Sequence, residues 1–272
     1  MGSRIAGRLL EAGQQVVVWN RNAAKAEPMR TRGAVVAGTP AKAAGQADAV
    51  ITMVTDPTAL AEVTESAAGI AAGAKAGTTV IQMSTVSPAA MERLARALPE
   101  GVELLDAPVL GSRREAETGA LNIFAGGPPE LVEHWKPVLS VLGSVLHVGP
   151  VGAGTAAKLL ANTTLVGVIA LLGEALALAQ GLGLEPGAAF DVLGVTALGS
   201  QAERRRDAFL SGDYPPRFTL SLARKDADLI LEAASDLDLR LVEAARSWLA
   251  EAQEAGAGEQ DYSAVLARIV GR

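Results

Sequence analysis

The sequence predicts an α/β domain with a doubly wound, mainly parallel sheet over residues 1–149, followed by an all-α domain over residues 150–272. Three observations predict it. Short β-branched runs alternate with helical segments up to about residue 149. No convincing strand follows Gly154, and an apolar run of about thirty residues without a turn signal joins the two parts.

Taken in order, a helix that opens at Gly2 and stops at Gly13 leads into "QVVVWN", a buried-strand run. "DAVITMV", "TTVIQMST", "VELLDAPV", "LNIFAGG" and "SVLHVG" read as the strands that follow. From Gly154, "TAAKLLANTTLVGVIALLGEALALAQGLGL" is longer than an ordinary globular helix. Beyond it "PGAAFDVLG", "DADLILEAASDLDL", "LVEAARSWLAEAQEAG" and "SAVLARIVG" all carry the helical period. A helix apolar on nearly all sides must be buried on all sides, and one small helical domain hardly covers it. The expectation is a homodimer with this helix at its centre.

Composition narrows the function. Hydrophobic residues make up 49% and charged residues 20%, enough for a substantial core; with aromatics at 3%, that core must be Ala, Val and Leu. A net charge of −6 argues against nucleic-acid binding. With no cysteine and only His134 and His147, disulfides, a thiolate nucleophile and a Cys- or His-rich metal cluster are excluded. Nothing before the first helix reads as a secretory signal, and the apolar stretch "LVGVIALLG", cut by Glu174, is too short to span a bilayer. The expectation is a soluble cytoplasmic protein with a small-molecule substrate and no nucleic-acid, membrane or metal partner.

In a doubly wound fold a dinucleotide's pyrophosphate sits at the N-terminus of the first helix, after three glycines. Only Gly2 is here, in the place of the third. The end of the next strand reads Trp19-Asn20-Arg21-Asn22, with Lys25 close behind. Where an NAD site carries an acidic residue for the ribose hydroxyls, Arg21 suits a 2′-phosphate, so NADP(H) is favoured over NAD(H); a solvated basic turn is the plainer reading. Two further strand ends, "MVTDP" headed by Met53 and Val54 and "MSTVSP" with Thr85, carry polar tips where ligands bind in such sheets, or simply loop caps.

Lys158 and Asn162 stand four apart in "GPVGAGTAAKLLAN" and so share one helix face. Alone they would read as exposed surface. They interrupt a mostly apolar segment just after the domain junction, where a cleft is expected. A lysine there can give a proton to a carbonyl oxygen as hydride reaches the carbon, and the Asn amide can orient the substrate hydroxyl or the cofactor carboxamide.

With these residues in place the chain resembles the β-hydroxyacid dehydrogenase family, the group of 3-hydroxyisobutyrate dehydrogenases and tartronate semialdehyde reductases, and within it the glyoxylate/succinic semialdehyde reductases. The match runs through "VVVWNR" with Lys25, "MSTVSP", "DAPVLGSRREAETGALNIFAGG", "GPVGAGTAAKLLAN", "YPPRFTLSLARKDADLIL" and "DYSAVL", from Gly2 to about Leu266. The resemblance implies a Rossmann domain, a helical domain that dimerises or tetramerises, and catalysis in the cleft. It puts the catalytic lysine at Lys158 and its companion at Asn162. It puts the substrate loop at Val109, Leu110, Gly111 and Ser112, with the Gly111 and Ser112 amides holding a carboxylate. It also places Thr85 on the nicotinamide side, Phe218 in the pocket wall, Lys225 over the cofactor and Asp226 in support of the cleft. "WNR" matches the NADPH-preferring branch.

Two departures stand out. The family loop reads Pro-Val-Ser-Gly, and Leu110 replaces that serine. A lost hydrogen bond to a charged group costs about 1.5–3 kcal/mol, so either Ser112 and the amides suffice or the substrate is bulkier and more apolar than a short semialdehyde acid, the reading preferred here. Arg113 and Arg114 beside the loop fit anion attraction and solvated surface equally. The family also begins with a strand and "GxGxMG", whereas this chain starts at the Met-Gly. In the strand order 3-2-1-4-5-6 the strand lacking is central, and the expectation is that about ten residues are missing at the N-terminus.

The leading expectation is therefore an NADPH-dependent reductase of a small aldehyde or keto acid, reversible as a 3-hydroxyacid dehydrogenase. Imine reduction on a more apolar substrate is the alternative that Leu110 favours and Lys158 with Asn162 opposes. A catalytically degenerate NADP-binding module is a third reading, opposed by the retained lysine.

Overall fold

The computed structural model describes residues 1–271. The chain forms two compact units that part between Lys158 and Leu159, inside one long helix.

The first unit carries strands β1 (Val17–Val18), β2 (Val35–Val36), β3 (Ala49–Thr52), β4 (Thr79–Gln82), β5 (Glu103–Asp106), β6 (Val109–Leu110), β7 (Leu121–Gly126) and β8 (Gly143–Gly149). Six of them make one sheet in the order β3-β4-β5-β7-β6, with β8 also on β7. The pairs β3–β4, β4–β5 and β7–β8 are parallel, as the apolar runs require. β7 runs antiparallel to β5 and β6, because the short 111–120 connection returns the chain rather than crossing over. β1 and β2 pair only with each other, as a separate parallel ribbon. The β1–β2 ribbon is thus not hydrogen-bonded to the six-stranded sheet.

Helices flank both faces: α1 (Gly2–Glu11), α2 (Ala23–Ala26), α3 (Pro40–Ala44), α4 (Pro57–Glu65), α5 (Ile70–Gly73), α6 (Pro88–Ala97), α7 (Arg113–Thr118) and α8 (Pro129–Leu139). Several starts are written locally. Asn22, Thr39, Asp56 and Ser87 each accept a backbone N–H in their own first turn, the last three followed directly by proline. Alternation along β4 sends Ile81 into one core, with Leu105 and Ile123, and Val80 into the other, with Leu60, Met91 and Leu94.

The joining helix α9 (Ala153–Gly181) is as long as its pattern implies. In the second unit it is followed by α10 (Pro186–Gly194), α11 (Gly199–Ser211), α12 (Leu220–Ala233), α13 (Arg240–Ala252) and α14 (Val265–Val270). Val166, Ile169, Leu172 and Leu176 of α9 pack with Leu220, Ala227, Leu249 and Leu266. α9 is not covered all round within this unit, however: Leu160, Leu171 and Leu178 are exposed. One expectation needs correction. The run "LVGVIALLG" is too short to span a bilayer, but α9 extends it at both ends, tolerates Glu174, and by length and composition is apolar enough to do so; half of its most apolar window is buried against the protein.

Candidate active site

The carboxyl ends of β3 and β4 are fastened by a buried polar network that the sequence reading missed. Gln82, fully buried, donates from Nε2 to the Ser84 carbonyl and accepts the Ser84 N–H and the Thr52 hydroxyl at Oε1. Ser84 Oγ accepts the Val54 N–H at 2.9 Å. The network fixes the segments carrying Met53, Val54 and Thr85, all half-buried.

At the end of β1 the setting is open. Asn20 Oδ1 accepts the Asn22 N–H, shaping the turn, while Asn20, Arg21 and Lys25 are exposed. The Arg21 side chain is 82% exposed and lies 3.6 Å from Glu62 of α4. α1 begins beside Met53, without a side-chain cap and without an acidic residue in its first turn, and it carries Arg4 there. Uncapped N–H groups, a helix dipole and the exposed Arg21 guanidinium are a donor set that suits the phosphates of a nicotinamide dinucleotide, while Arg4 is half-buried and paired with Glu117 at 2.6 Å.

Beyond β5 comes the expected substrate loop. Val109 is buried, Leu110 and Ser112 are half-buried, and Gly111 is exposed with φ +141°. Ser112 caps α7 in a capping box, its N–H donating to Glu115 at 2.8 Å and its hydroxyl bonded to the same carboxylate. Those bonds hold the Glu115 carboxyl below the ordinary glutamate range, the Ser112 hydroxyl acting most strongly. Two donors expected for a substrate are thus engaged internally.

Asp106 ends β5 and is fully buried. Its Oδ2 accepts the Thr155 N–H at 2.6 Å and its Oδ1 accepts the Thr155 hydroxyl at 2.9 Å. Burial pushes its carboxyl up, against the lowering effect of those bonds and of one from the Gly152 N–H. Lys158 closes this unit and is 8% exposed, so it is no solvated surface lysine. Neither Asp106 nor Thr155 was singled out by sequence; an acid inside the apolar run "LLDAPV" was the available signal.

One turn further along α9, in the second unit, Asn162 is 2% exposed and donates from Nδ2 to Asp226 Oδ2 at 2.7 Å. Asp226 Oδ1 meets Lys225 Nζ at 2.8 Å. The structure thus brings three expected residues together and turns the Asn162 amide by a fixed partner. Phe218 is placed by Asp261, whose carboxylate accepts the Arg217 and Phe218 N–H groups at 3.1 and 3.2 Å. Its ring meets Tyr262 edge-on at 5.7 Å, and Arg205 donates to the Tyr262 hydroxyl. Asp261, Tyr262 and Arg205 were not expected as site supports. No group of three or more His, Cys, Asp or Glu able to hold a metal occurs among the described residues.

A split Rossmann-type sheet with polar strand ends, followed by a helix bearing a buried lysine and an oriented asparagine, defines a nicotinamide-nucleotide oxidoreductase. Residues 1–152 match the family model for the NAD binding domain of 6-phosphogluconate dehydrogenase, and residues 152–269 that for the NAD-binding domain of NADP-dependent 3-hydroxyisobutyrate dehydrogenase. The 3-sulfolactaldehyde reductase of Escherichia coli is 34% identical, over 99% of this chain and 92% of that one. Glyoxylate/succinic semialdehyde reductase 2 of Arabidopsis thaliana is 30% identical, over 98% of this chain and 76% of that one. The crystal structure of a 3-hydroxyisobutyrate dehydrogenase from Salmonella typhimurium superposes with a TM-score of 0.84 at 30% identity, covering 97% of this chain and 95% of that one. The chain belongs to the β-hydroxyacid dehydrogenase family and is an NAD(P)-dependent oxidoreductase.

Proposed function

We propose that the protein reduces a small aldehyde or keto acid with NADPH, reversibly, and works as a homodimer. The observation that carries this reading is the buried lysine of α9, one turn before an asparagine whose amide Asp226 holds. The nicotinamide, when bound, supplies or accepts the hydride. Lys158 Nζ gives its proton to the carbonyl oxygen in reduction and takes it back in oxidation. Asn162, its Nδ2 committed to Asp226, presents its carbonyl oxygen to a hydroxyl or carboxamide donor. Lys158→Ala then loses turnover by orders of magnitude while still binding NADPH in a fluorescence titration; turnover close to that of the unmodified protein would sink the assignment.

NADPH is preferred because Arg21 and Lys25 stand exposed at the end of β1 with no acidic residue in the strand-end run Trp19-Asn20-Arg21-Asn22. The matching relatives are named for aldehydes that carry an acidic group, which supports a short acidic aldehyde. Leu110, and the commitment of Ser112 to Glu115, favour a longer and more apolar chain next to that loop. The dimer is supported by the stripe Leu160, Leu171 and Leu178 on the second unit, 69%, 48% and 65% exposed. A second copy covering this stripe keeps it from water, and Leu178→Glu turns the dimer into monomer in size-exclusion chromatography.

A further inference from the structure

Several helices of the first unit take a side-chain cap from the residue that precedes them. The first turn of α9 is held differently. Its Thr155 N–H and hydroxyl both go to Asp106, 49 residues away in sequence and fully buried. Burying a carboxylate is costly unless its bonds are complete, and a local serine or threonine would cap a helix at far lower cost.

The site of attachment is a strand paired on both sides. Asp106 lies mid-sheet, in register with Gln82 on β4 and Gly126 on β7. The helix approaches so closely that a methyl group at Gly154 would be driven into the carbonyl oxygens of Asp106 and Phe124. One at Gly126 would meet the Pro150 carbonyl oxygen at 2.6 Å and the Gly154 nitrogen at 2.8 Å. Gly152, with φ +95°, makes the turn that admits this approach. Thr155 and Lys158 are three apart, neighbours on one helix face. A shift of the first turn therefore carries Lys158 with it.

We propose that Asp106 is a positioning residue: its carboxylate ties the first turn of α9 to the middle of the sheet and so sets where the Lys158 ammonium stands. This rests on Lys158 being the proton donor. A misplacement of about 1 Å can cost a reaction about a hundredfold in rate, and such a loss falls on kcat rather than on binding.

The test uses the full chain with Asp106→Ala, Asp106→Asn, Thr155→Val, Thr155→Ser and Lys158→Ala. Each is assayed for kcat and KM with succinic semialdehyde and NADPH, for NADPH affinity by fluorescence, and for fold by circular dichroism. The expected result is a kcat lowered about a hundredfold in Asp106→Ala and about tenfold in Thr155→Val, with KM and NADPH affinity within about threefold. Thr155→Ser, which restores the hydroxyl, returns kcat, and Asp106→Asn, which keeps an acceptor of the same shape, recovers part of it. A folded Asp106→Ala or Thr155→Val with unchanged kcat, or a loss confined to thermal stability, overturns the proposal. If Asp106→Ala does not fold, the Thr155→Val and Thr155→Ser pair decides. An active Lys158→Ala removes the parent reading and this inference with it, whereas an inactive Lys158→Ala beside fully active Asp106 and Thr155 variants removes this inference alone.

Discussion

Asp226 and Arg21 are both charged residues read as parts of one site, yet the fold treats them in opposite ways. Asp226 is 4% exposed, with its carboxylate on Asn162 and Lys225. The Arg21 side chain is 82% exposed and, among the described residues, pairs with Glu62 at 3.6 Å. The buried groups, including Asp106, hold other side chains in place, and their bonds are part of the folded core. The exposed group has a single long ion pair in high dielectric, worth little to the fold, and remains available to a ligand. Positioning demands burial with complete hydrogen bonding; selection among ligands demands a donor kept solvated until the ligand arrives.

The largest expected effect comes from breaking the buried side of this comparison. Asp226→Ala leaves the Asn162 amide and the Lys225 ammonium without the carboxylate between them. Removing one partner of a buried charge pair costs about 3–5 kcal/mol; the partial exposure of Lys225 places this case at about 3 kcal/mol. Thermal unfolding followed by circular dichroism reads that cost as a clear drop in Tm. Asp226→Asn, which keeps one acceptor for Asn162, sits between the two. A Tm unchanged in Asp226→Ala would show that these bonds contribute nothing to the fold.

The site was legible in the sequence where the pattern is local. Lys158 and Asn162 are four apart on a helix whose period is plain, and the basic end of the "QVVVWN" strand needs only its neighbours to be noticed. What stayed hidden depends on partners far along the chain. Asn162 meets Asp226 64 residues on, Asp106 meets Thr155 49 residues on, and Gln82 meets Thr52 30 residues back. No spacing rule joins such pairs; the sheet and helix packing bring them together. For the fold the same division holds. The long helix and the apolar strands announce themselves by period, while β2, two residues long, and the antiparallel pairing of β7 do not.

The exposed side is sharpened by Arg21→Ala. A hydrogen bond to a charged group is worth about 1.5–3 kcal/mol, of which full exposure leaves the smaller part, so NADPH affinity falls about tenfold. NADH affinity and Tm stay where they were. Fluorescence titration with both nucleotides checks this, and equal losses for the two would show that Arg21 does not read the 2′-phosphate. Glu62→Gln, which frees Arg21 of its competing carboxylate, tightens NADPH by about two- to threefold, in keeping with the small worth of an exposed pair.

Glu115 lies between the two extremes and has a small expected effect. It is half-buried, and its carboxyl is held below the ordinary range by the Ser112 hydroxyl and then by the Ser112 N–H. The folded-state pKa lies below the unfolded one, so the ionised group stabilises the fold above the ordinary glutamate range. That contribution is lost as pH falls through the lowered value. Glu115→Gln therefore costs about 0.5–1 kcal/mol near neutrality, the worth of a capping interaction, and the Tm difference from the unmodified protein shrinks on acidification. The same substitution probes the loop. While Glu115 is charged and bonded to Ser112, a substrate carboxylate meets an engaged donor and a like charge. Replacing it lowers KM for succinic semialdehyde a few-fold relative to a neutral aldehyde of equal length, in line with the modest energy of a partly exposed charge contact. An unchanged ratio of the two KM values would place the substrate's acidic end away from Ser112, and would make the capping box a matter of folding alone.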